Sequence, residues 1–419
     1  MKNRLLILGS MDEFIALVKK AKARGIYTIV CDGYTEGPAK KYADKAYDID
    51  IRQVEKIVEL CKTEKVDGII ASFSDILFEY LVKIGTKAGL KTYCTPEKSV
   101  LLREKSEMKK MFSELGIPMA KSVQLHKGFD KEKLNEFPFP AVMKPINGYG
   151  SRGIYVVENV GQVELLFDKT ANYSTFQEDI ILESYNDGYE FNMMNWIVDG
   201  EVFTLGLADR EKSVEIKGDI PHVCRIVYPS RIIDCVYEEA REIVRKVAEY
   251  TGIKTGPISM QFFYKPGKGI EVCECAGRLF GYEHELVTYG SGFDIEELLL
   301  DYVYDEESMK NRLEKHDAHY KKRVAGLYFH GHEGKVEDLT VAESVIRETN
   351  PLESIIYYNK GDIINHGVGA KPYLIRMYIE EENYEKLDEL TRKLYEKIRV
   401  YDKNGKNMVY HNELMEYKK

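Results

Sequence analysis

The chain has no stretch approaching the roughly 18 consecutive apolar residues of a membrane-spanning helix, so no bilayer-embedded role is expected. The apolar run within Met1-Lys-Asn-Arg-Leu-Leu-Ile-Leu-Gly9 is too short for a signal peptide. There is no excess of basic charge: 60 Lys and Arg against 69 Asp and Glu leave a net charge of −9, with no electrostatic footprint for nucleic acid or anionic lipid. Cysteine is sparse. Seven residues, at 31, 61, 94, 224, 235, 273 and 275, form no disulfide framework, and the odd count points to reduced thiols in a cytoplasmic setting. Cys273-x-Cys275 has no second Cys or His pair at zinc-binding spacing and is expected to be two small hydrophobes facing away from any site. Leu8-Gly9-Ser10-Met11 lacks the second and third glycines of a dinucleotide fingerprint. No internal repeat or low-complexity segment is present.

The 419 residues, 44% of them hydrophobic, suffice for two to three domains. Apolar and amphipathic segments alternate at the start: strands over Arg4–Leu8, Ile26–Cys31, Tyr47–Asp50 and Gly68–Ala71, and helices over Met11–Arg24, Val54–Thr63 and Asp75–Ala88. Such alternation implies βαβ units and a parallel sheet. Glu314–Arg323, rich in Lys, His and Asp, reads as a solvated linker. Beyond it come strand, turn, helix and strand, then a helix over Glu380–Ile398 whose charges alternate in sign as on an exposed face.

The most specific stretch is Pro140-Ala-Val-Met-Lys-Pro-Ile-Asn-Gly-Tyr-Gly-Ser-Arg-Gly153. A strand runs into Lys144, Pro145 stops it, and three glycines and a serine follow. Backbone with little side chain can turn successive N–H groups toward one anion, and a lysine at the strand end adds a point charge. Phosphate of a nucleotide suits this arrangement; a surface hairpin with Asn147-Gly148 at its tip is the alternative. About ninety residues on, a helix over Cys235–Tyr250 leads to strands over Gly256–Tyr264 and Gly269–Ala276, joined by the turn Lys265-Pro-Gly-Lys268. Strand alternation puts Val272, Glu274, Ala276 and Arg278 on one side and Cys273 and Cys275 on the other. Gln261 can face Glu274 across the hairpin. A carboxylate and an amide oxygen converging there, with an arginine beyond, suit Mg²⁺ and phosphate.

With these motifs the chain resembles the ATP-grasp superfamily, most closely the branch of L-amino-acid ligases, biotin carboxylase and the carbamoyl phosphate synthase large subunit. The resemblance covers nearly the whole chain. It implies an α/β fold with a Rossmann-like domain over 1–96, a nucleotide-binding and catalytic domain over 97–316, and a small β-rich lid over 317–419. By resemblance, Lys105 and Lys144 are the two phosphate lysines, and Gly148, Gly150, Ser151 and Gly153 belong to the loop over the triphosphate. Glu183 with the backbone of Ser184 and Tyr185 would read adenine, and Glu190 the ribose. Gln261 and Glu274 match the metal positions and Arg278 the catalytic arginine. The family's Glu-x-Asn is here Glu274-Cys275-Ala276, which removes one oxygen donor on the metal face.

The implied reaction is ATP-dependent joining of a carboxylate and an amine through an acyl phosphate, with ADP and phosphate released, using Mg²⁺ or Mn²⁺. Arg210, His222, Arg225 and His284 are candidate substrate contacts, and the enzyme would act on small molecules, with a homodimer as the candidate assembly. Two alternatives share the ATP site. One is a carboxylase or carbamoyl-phosphate-synthase-like enzyme using carboxyphosphate, although no Met-Lys-Met biotinyl sequence is present. The other, suggested by Ala276, is a nucleotide-binding protein with little turnover.

Overall fold

Leu5, Leu6, Ile7 and Leu8 are wholly buried, as expected of a central parallel strand covered on both faces. The computed structural model describes residues 2–146, 153–174, 179–214, 222–366, 371 and 373–417. Its first sheet is parallel throughout, in the order Lys45–Tyr47, Tyr27–Cys31, Arg4–Leu8, Gly68–Ile70. The strand expected at Tyr47–Asp50 thus lies slightly upstream. The first helix is divided: a 3₁₀ turn, Asp12–Phe14, precedes the helix Ile15–Ala23. Gly9 has φ +108°, and a Cβ there would lie 2.7 Å from the Phe14 ring. Its role is close packing in a backbone conformation glycine alone tolerates.

A second, antiparallel sheet has the order Ser122–Leu125, Ile180–Ser184, Ala141–Pro145, Tyr155–Val157. The helix Val160–Ala171 covers one face, where Ala141, Met143, Ile180 and Leu182 meet Val163 and Phe167 in a separate small core. Alternation turns Val142, Lys144, Ile181 and Glu183 to the opposite face.

The main sheet has eight strands in the order Gly269–Ala276, Thr255–Lys265, Tyr189–Val198, Glu201–Lys212, Val223–Tyr228, Arg323–Phe329, Ile375–Glu381, Glu353–Ile356. All its neighbouring strands are antiparallel. The C-terminal strands therefore continue the central sheet. The helix Ile233–Thr251 packs on it through Val236, Ala240, Ile243, Val244 and Val247, a three-and-four spacing, and ends at left-handed Gly252.

Two expectations are corrected. Glu314–Arg323 is not a solvated linker: Ala318 and Tyr320 are buried, and the His316 ring nitrogen and Tyr320 hydroxyl both reach the Leu205 carbonyl. The charged helix is Tyr384–Lys397, because Glu380 and Glu381 still pair with Val324 and Arg323, and the Asn383 side chain caps the helix by accepting from the Lys386 amide.

Candidate active site

The exposed face of the small sheet, the outer strands of the main sheet and the start of the helix Lys105–Glu114 enclose a cavity of about 960 Å³. Lys105, Lys144, Gly153, Glu183, Ser184, Tyr185, Glu190, Arg210, His222, Gln261, Glu274 and Arg278 all line it. Gly148, Gly150 and Ser151 lie outside the described residues. Gly153 has φ +68°, and a Cβ there would come within 2.5 Å of the Tyr173 ring.

Charge in the cavity is organised in pairs. The Lys144 Nζ donates to Glu183 Oε2 at 2.6 Å, and Lys109 Nζ lies 2.8 Å from Glu183 Oε1. Burial alone would depress the Lys144 ammonium, but Glu183, with Cys273 and Glu274 nearby, holds its pKa above the ordinary value. Burial would raise the Glu183 carboxyl, and the two lysines override this and bring it down to about 2. Glu190 is held between Arg210, at 2.8 Å, and Lys212, at 2.5 Å. Despite its burial those cations keep its pKa low. Arg278 grips Asp75 bidentately, Nε to Oδ1 at 2.8 Å and Nη2 to Oδ2 at 3.0 Å, and so ties the cavity to the first helix after the parallel sheet.

The strands Thr255–Lys265 and Gly269–Ala276 carry a bulge. Gln261 pairs with Glu274, and Phe262 with Val272, so Cys273 is the extra residue. The bulge overturns part of the parity expectation. Val272 and Phe262 point into the core, whereas Glu274 and Gln261 face the cavity with Glu271 and Phe263. Cys273 lines the cavity beside Lys144 instead of facing away. Glu274 and Ala276 lie beyond the bulge and still share a face. An amide oxygen and a carboxylate in direct register are hard donors that fit a magnesium ion. Among the described residues no group of three or more His, Cys, Asp or Glu side chains is arranged to hold a metal, so such an ion would take most ligands from phosphate and water.

Other candidates are placed differently. Arg225 is not on the cavity: it is buried, 3.5 Å from Glu211 and 2.8 Å from Asp388. Paired inward positions on the strand Val223–Tyr228 put its side chain in the interior. His284 is also off the cavity, wholly buried, stacked on Phe73 at 3.9 Å and 3.2 Å from both Glu285 and Glu296. The Ser184 and Tyr185 amides donate to the Lys121 and Pro140 carbonyls, so both N–H groups are engaged within the protein. Lys109, Asp75 and Glu283 were not foreseen. Lys109 is one helical turn beyond Lys105, a usable signal; Asp75 is 203 residues from its partner and gave none. Glu283 is buried, receives hydrogen bonds from Asn192 and Tyr228, and has its pKa raised by that burial against the pull of Arg210.

A family model described as an ATP-grasp domain matches residues 137–284. Formate-dependent phosphoribosylglycinamide formyltransferases are similar in sequence: that of Wigglesworthia glossinidia brevipalpis is 22% identical over 64% of this chain and 67% of its own length. That of Pasteurella multocida is 26% identical over 38% of this chain, and the match spans 41% of that relative; for the Methanococcus maripaludis protein it spans half. Among solved structures, the L-amino acid ligase of Bacillus licheniformis superposes with TM-score 0.81 at 16% identity, over 96% of this chain and 99% of that one. The biotin carboxylase domain of the Hydrogenobacter thermophilus 2-oxoglutarate carboxylase, solved with MgADP and bicarbonate, gives 0.73 at 17% identity over 97% and 92%. The N5-carboxyaminoimidazole ribonucleotide synthetase of Thermotoga maritima gives 0.70 at 19% identity over 96% and 99%.

Proposed function

We propose that this chain, whose residues 137–284 match an ATP-grasp domain, is an ADP-forming ligase that activates a carboxylate as an acyl phosphate and passes the acyl group to an amine. The observation that carries this reading is the convergence of Lys105, Lys144, Arg278, Gln261 and Glu274 on one cavity. A carboxylate resists nucleophiles because it is negatively charged and resonance-stabilised; phosphorylation supplies a leaving group.

In this reading Lys144 and Lys105 neutralise phosphate oxygens, and Glu183 keeps Lys144 protonated and aimed. Glu190, clamped by Arg210 and Lys212, accepts from ribose hydroxyls. Gln261 and Glu274 would hold a magnesium ion, which would supply positive charge to offset that of the phosphates. Arg278, oriented by Asp75, holds the acid and then the acyl phosphate in line. The acid oxygen bonds to the γ-phosphorus as the bond to ADP breaks. Amine attack on the acyl carbon then expels phosphate, and the amine proton leaves to solvent.

Two further readings are supported by specific observations. Ala276 leaves the metal face one donor short, which favours a nucleotide-binding protein of low turnover. The likeness to biotin carboxylase and to the ribonucleotide synthetase supports carboxyphosphate chemistry in the same site. Trapping with hydroxylamine separates them. With ATP, Mg²⁺ and a panel of acids that includes formate, after the similar formyltransferases, the ligase yields a hydroxamate and ADP. AMP as co-product would overturn the acyl-phosphate mechanism. Tight ATP binding with no hydroxamate from any acid would favour the low-turnover reading, and phosphate release that requires bicarbonate the carboxylase.

A further inference from the structure

The cavity does not end at its charged groups. Beyond Arg210 its wall becomes a chain of rings. Tyr328 and Tyr373 meet at 4.8 Å between centroids, Tyr373 stands edge-on to His330 at 5.5 Å, His330 stacks on His222 at 4.7 Å, and His222 lies 5.8 Å from Tyr410. All five line the cavity. The backbone fixes the arrangement: the His330 Nε2 bonds to the Val223 carbonyl at 3.0 Å, and the Tyr410 amide donates to the His330 carbonyl at 3.0 Å.

Resting on the ligase reading above, we propose that this second chamber, walled by His222, His330, Tyr373 and Tyr410, receives a planar ring carried by the substrate acid, whose carboxylate lies at Arg210 and Arg278. Ring faces and edges pack best against other rings, offset or edge-on, at centroid distances of roughly 4.5–7 Å. The wall's own spacings fall in that range, so an inserted ring continues the pattern. Burial pushes the His330 pKa down to about 4, with help from His222 and His366, so that part of the wall is uncharged at neutral pH. A cationic side group would also find rings, in a cavity that carries Glu190, Glu274 and Glu283 as well as Arg210, Lys212 and Lys371, and 6-aminohexanoate probes that case. Continuity with the anion-holding guanidinium of Arg210 favours an acid whose ring points away from the phosphates. The chamber then sets substrate class, and the paired charges set the chemistry.

Calorimetry on the full chain with Mg²⁺ and a non-hydrolysable ATP analogue tests this without requiring turnover. Phenylacetate and indole-3-acetate are compared with isovalerate, hexanoate, formate and 6-aminohexanoate. The ring acids should bind about tenfold more tightly or better. Tyr410→Ala should erase that preference and Tyr410→Phe keep it, with affinity for the ATP analogue as the check on folding; His222→Leu gives the same readout if Tyr410→Ala fails to fold. Equal or tighter binding of the aliphatic, cationic or one-carbon acids, no binding of any acid, or a preference indifferent to both substitutions would overturn the proposal. Phosphate release with the same acids tests the ligase reading separately. Ring acids that bind without ever releasing phosphate would sink the ligase and leave the chamber; release with aliphatic acids alone would do the reverse.

Discussion

Replacing Lys144 by Met removes the cation near the end of the strand Ala141–Pro145 and keeps the length of the side chain. In the proposed site it loses one charge-assisted contact to phosphate, roughly 1.5–3 kcal/mol, so ATP affinity should fall about ten- to hundredfold. A second effect comes from Glu183, which is buried and bonded to Lys144 at 2.6 Å. Lys109, at 2.8 Å from the other carboxylate oxygen, remains. The stability loss should therefore stay below the roughly 3–5 kcal/mol of a fully orphaned buried charge, at about 2 kcal/mol.

The two effects separate in a double-mutant cycle. Glu183→Gln removes the charge that Lys144 compensates, so the pair Lys144→Met/Glu183→Gln should recover about 1–2 kcal/mol of stability relative to the sum of the singles, read from urea unfolding. ATP affinity, read by calorimetry, should not recover, because the phosphate contact is gone in both. Unchanged ATP binding in folded Lys144→Met would remove this lysine from the site, and strictly additive unfolding energies would refute the pairing.

Ala276→Asn restores an oxygen donor on the same strand face as Glu274 and should lower the Mg²⁺ concentration for half-maximal ATP hydrolysis or ligation; an unchanged Mg²⁺ dependence would mean that this face does not reach the ion. Asp75→Ala frees the Arg278 fork without removing it, so hydroxamate formation should drop about tenfold or more while ATP affinity shifts less than twofold, since orientation governs the reacting step; equal losses in both would place the pair in nucleotide binding. Stability should fall as pH rises from about 6.5 to 9. His284 is raised to about 9 by Glu285 and Glu296 despite its burial, so its contribution is full below the ordinary histidine value and is lost as pH passes the folded one, on the order of 3 kcal/mol. Glu13, raised to about 8 by burial, stays protonated when folded and ionises when unfolded, and so pulls in the same direction. A flat unfolding midpoint over that range, measured thermally in matched ionic strength, would exclude both.

The parts of the fold that local chemistry dictates were legible. Val54–Thr63, Asp75–Ala88 and Arg4–Leu8 appear with the bounds their apolar patterns suggest, because in each the pattern runs unbroken between turn or capping residues. Glu380 and Glu381 were misplaced into a helix because alternating charge does not distinguish the end of an edge-proximal strand from the first turn of a helix. Glu314–Arg323 was misread for a related reason. Its charges are real, but His316 and Tyr320 anchor it to the Leu205 carbonyl of a distant strand that composition cannot reveal.

In the site, residues on one strand or facing each other across one hairpin were accessible to alternation: Lys144, Gln261 and Glu274 all reach the cavity. Alternation fails where a bulge adds a residue, and the bulge at Cys273 has no glycine or proline to announce it. One inserted position reverses every face on one side of it, which is why Glu274 looks into the cavity while Val272, two residues away, looks into the core. The same insertion carries Cys273 to the cavity, where its thiol is held up at about 11 by burial against the pull of Lys144. At neutral pH it therefore sits beside Lys144 as a neutral group. A thiolate there would offset the charge of Lys144, so the burial that makes this cysteine chemically quiet also protects that cation.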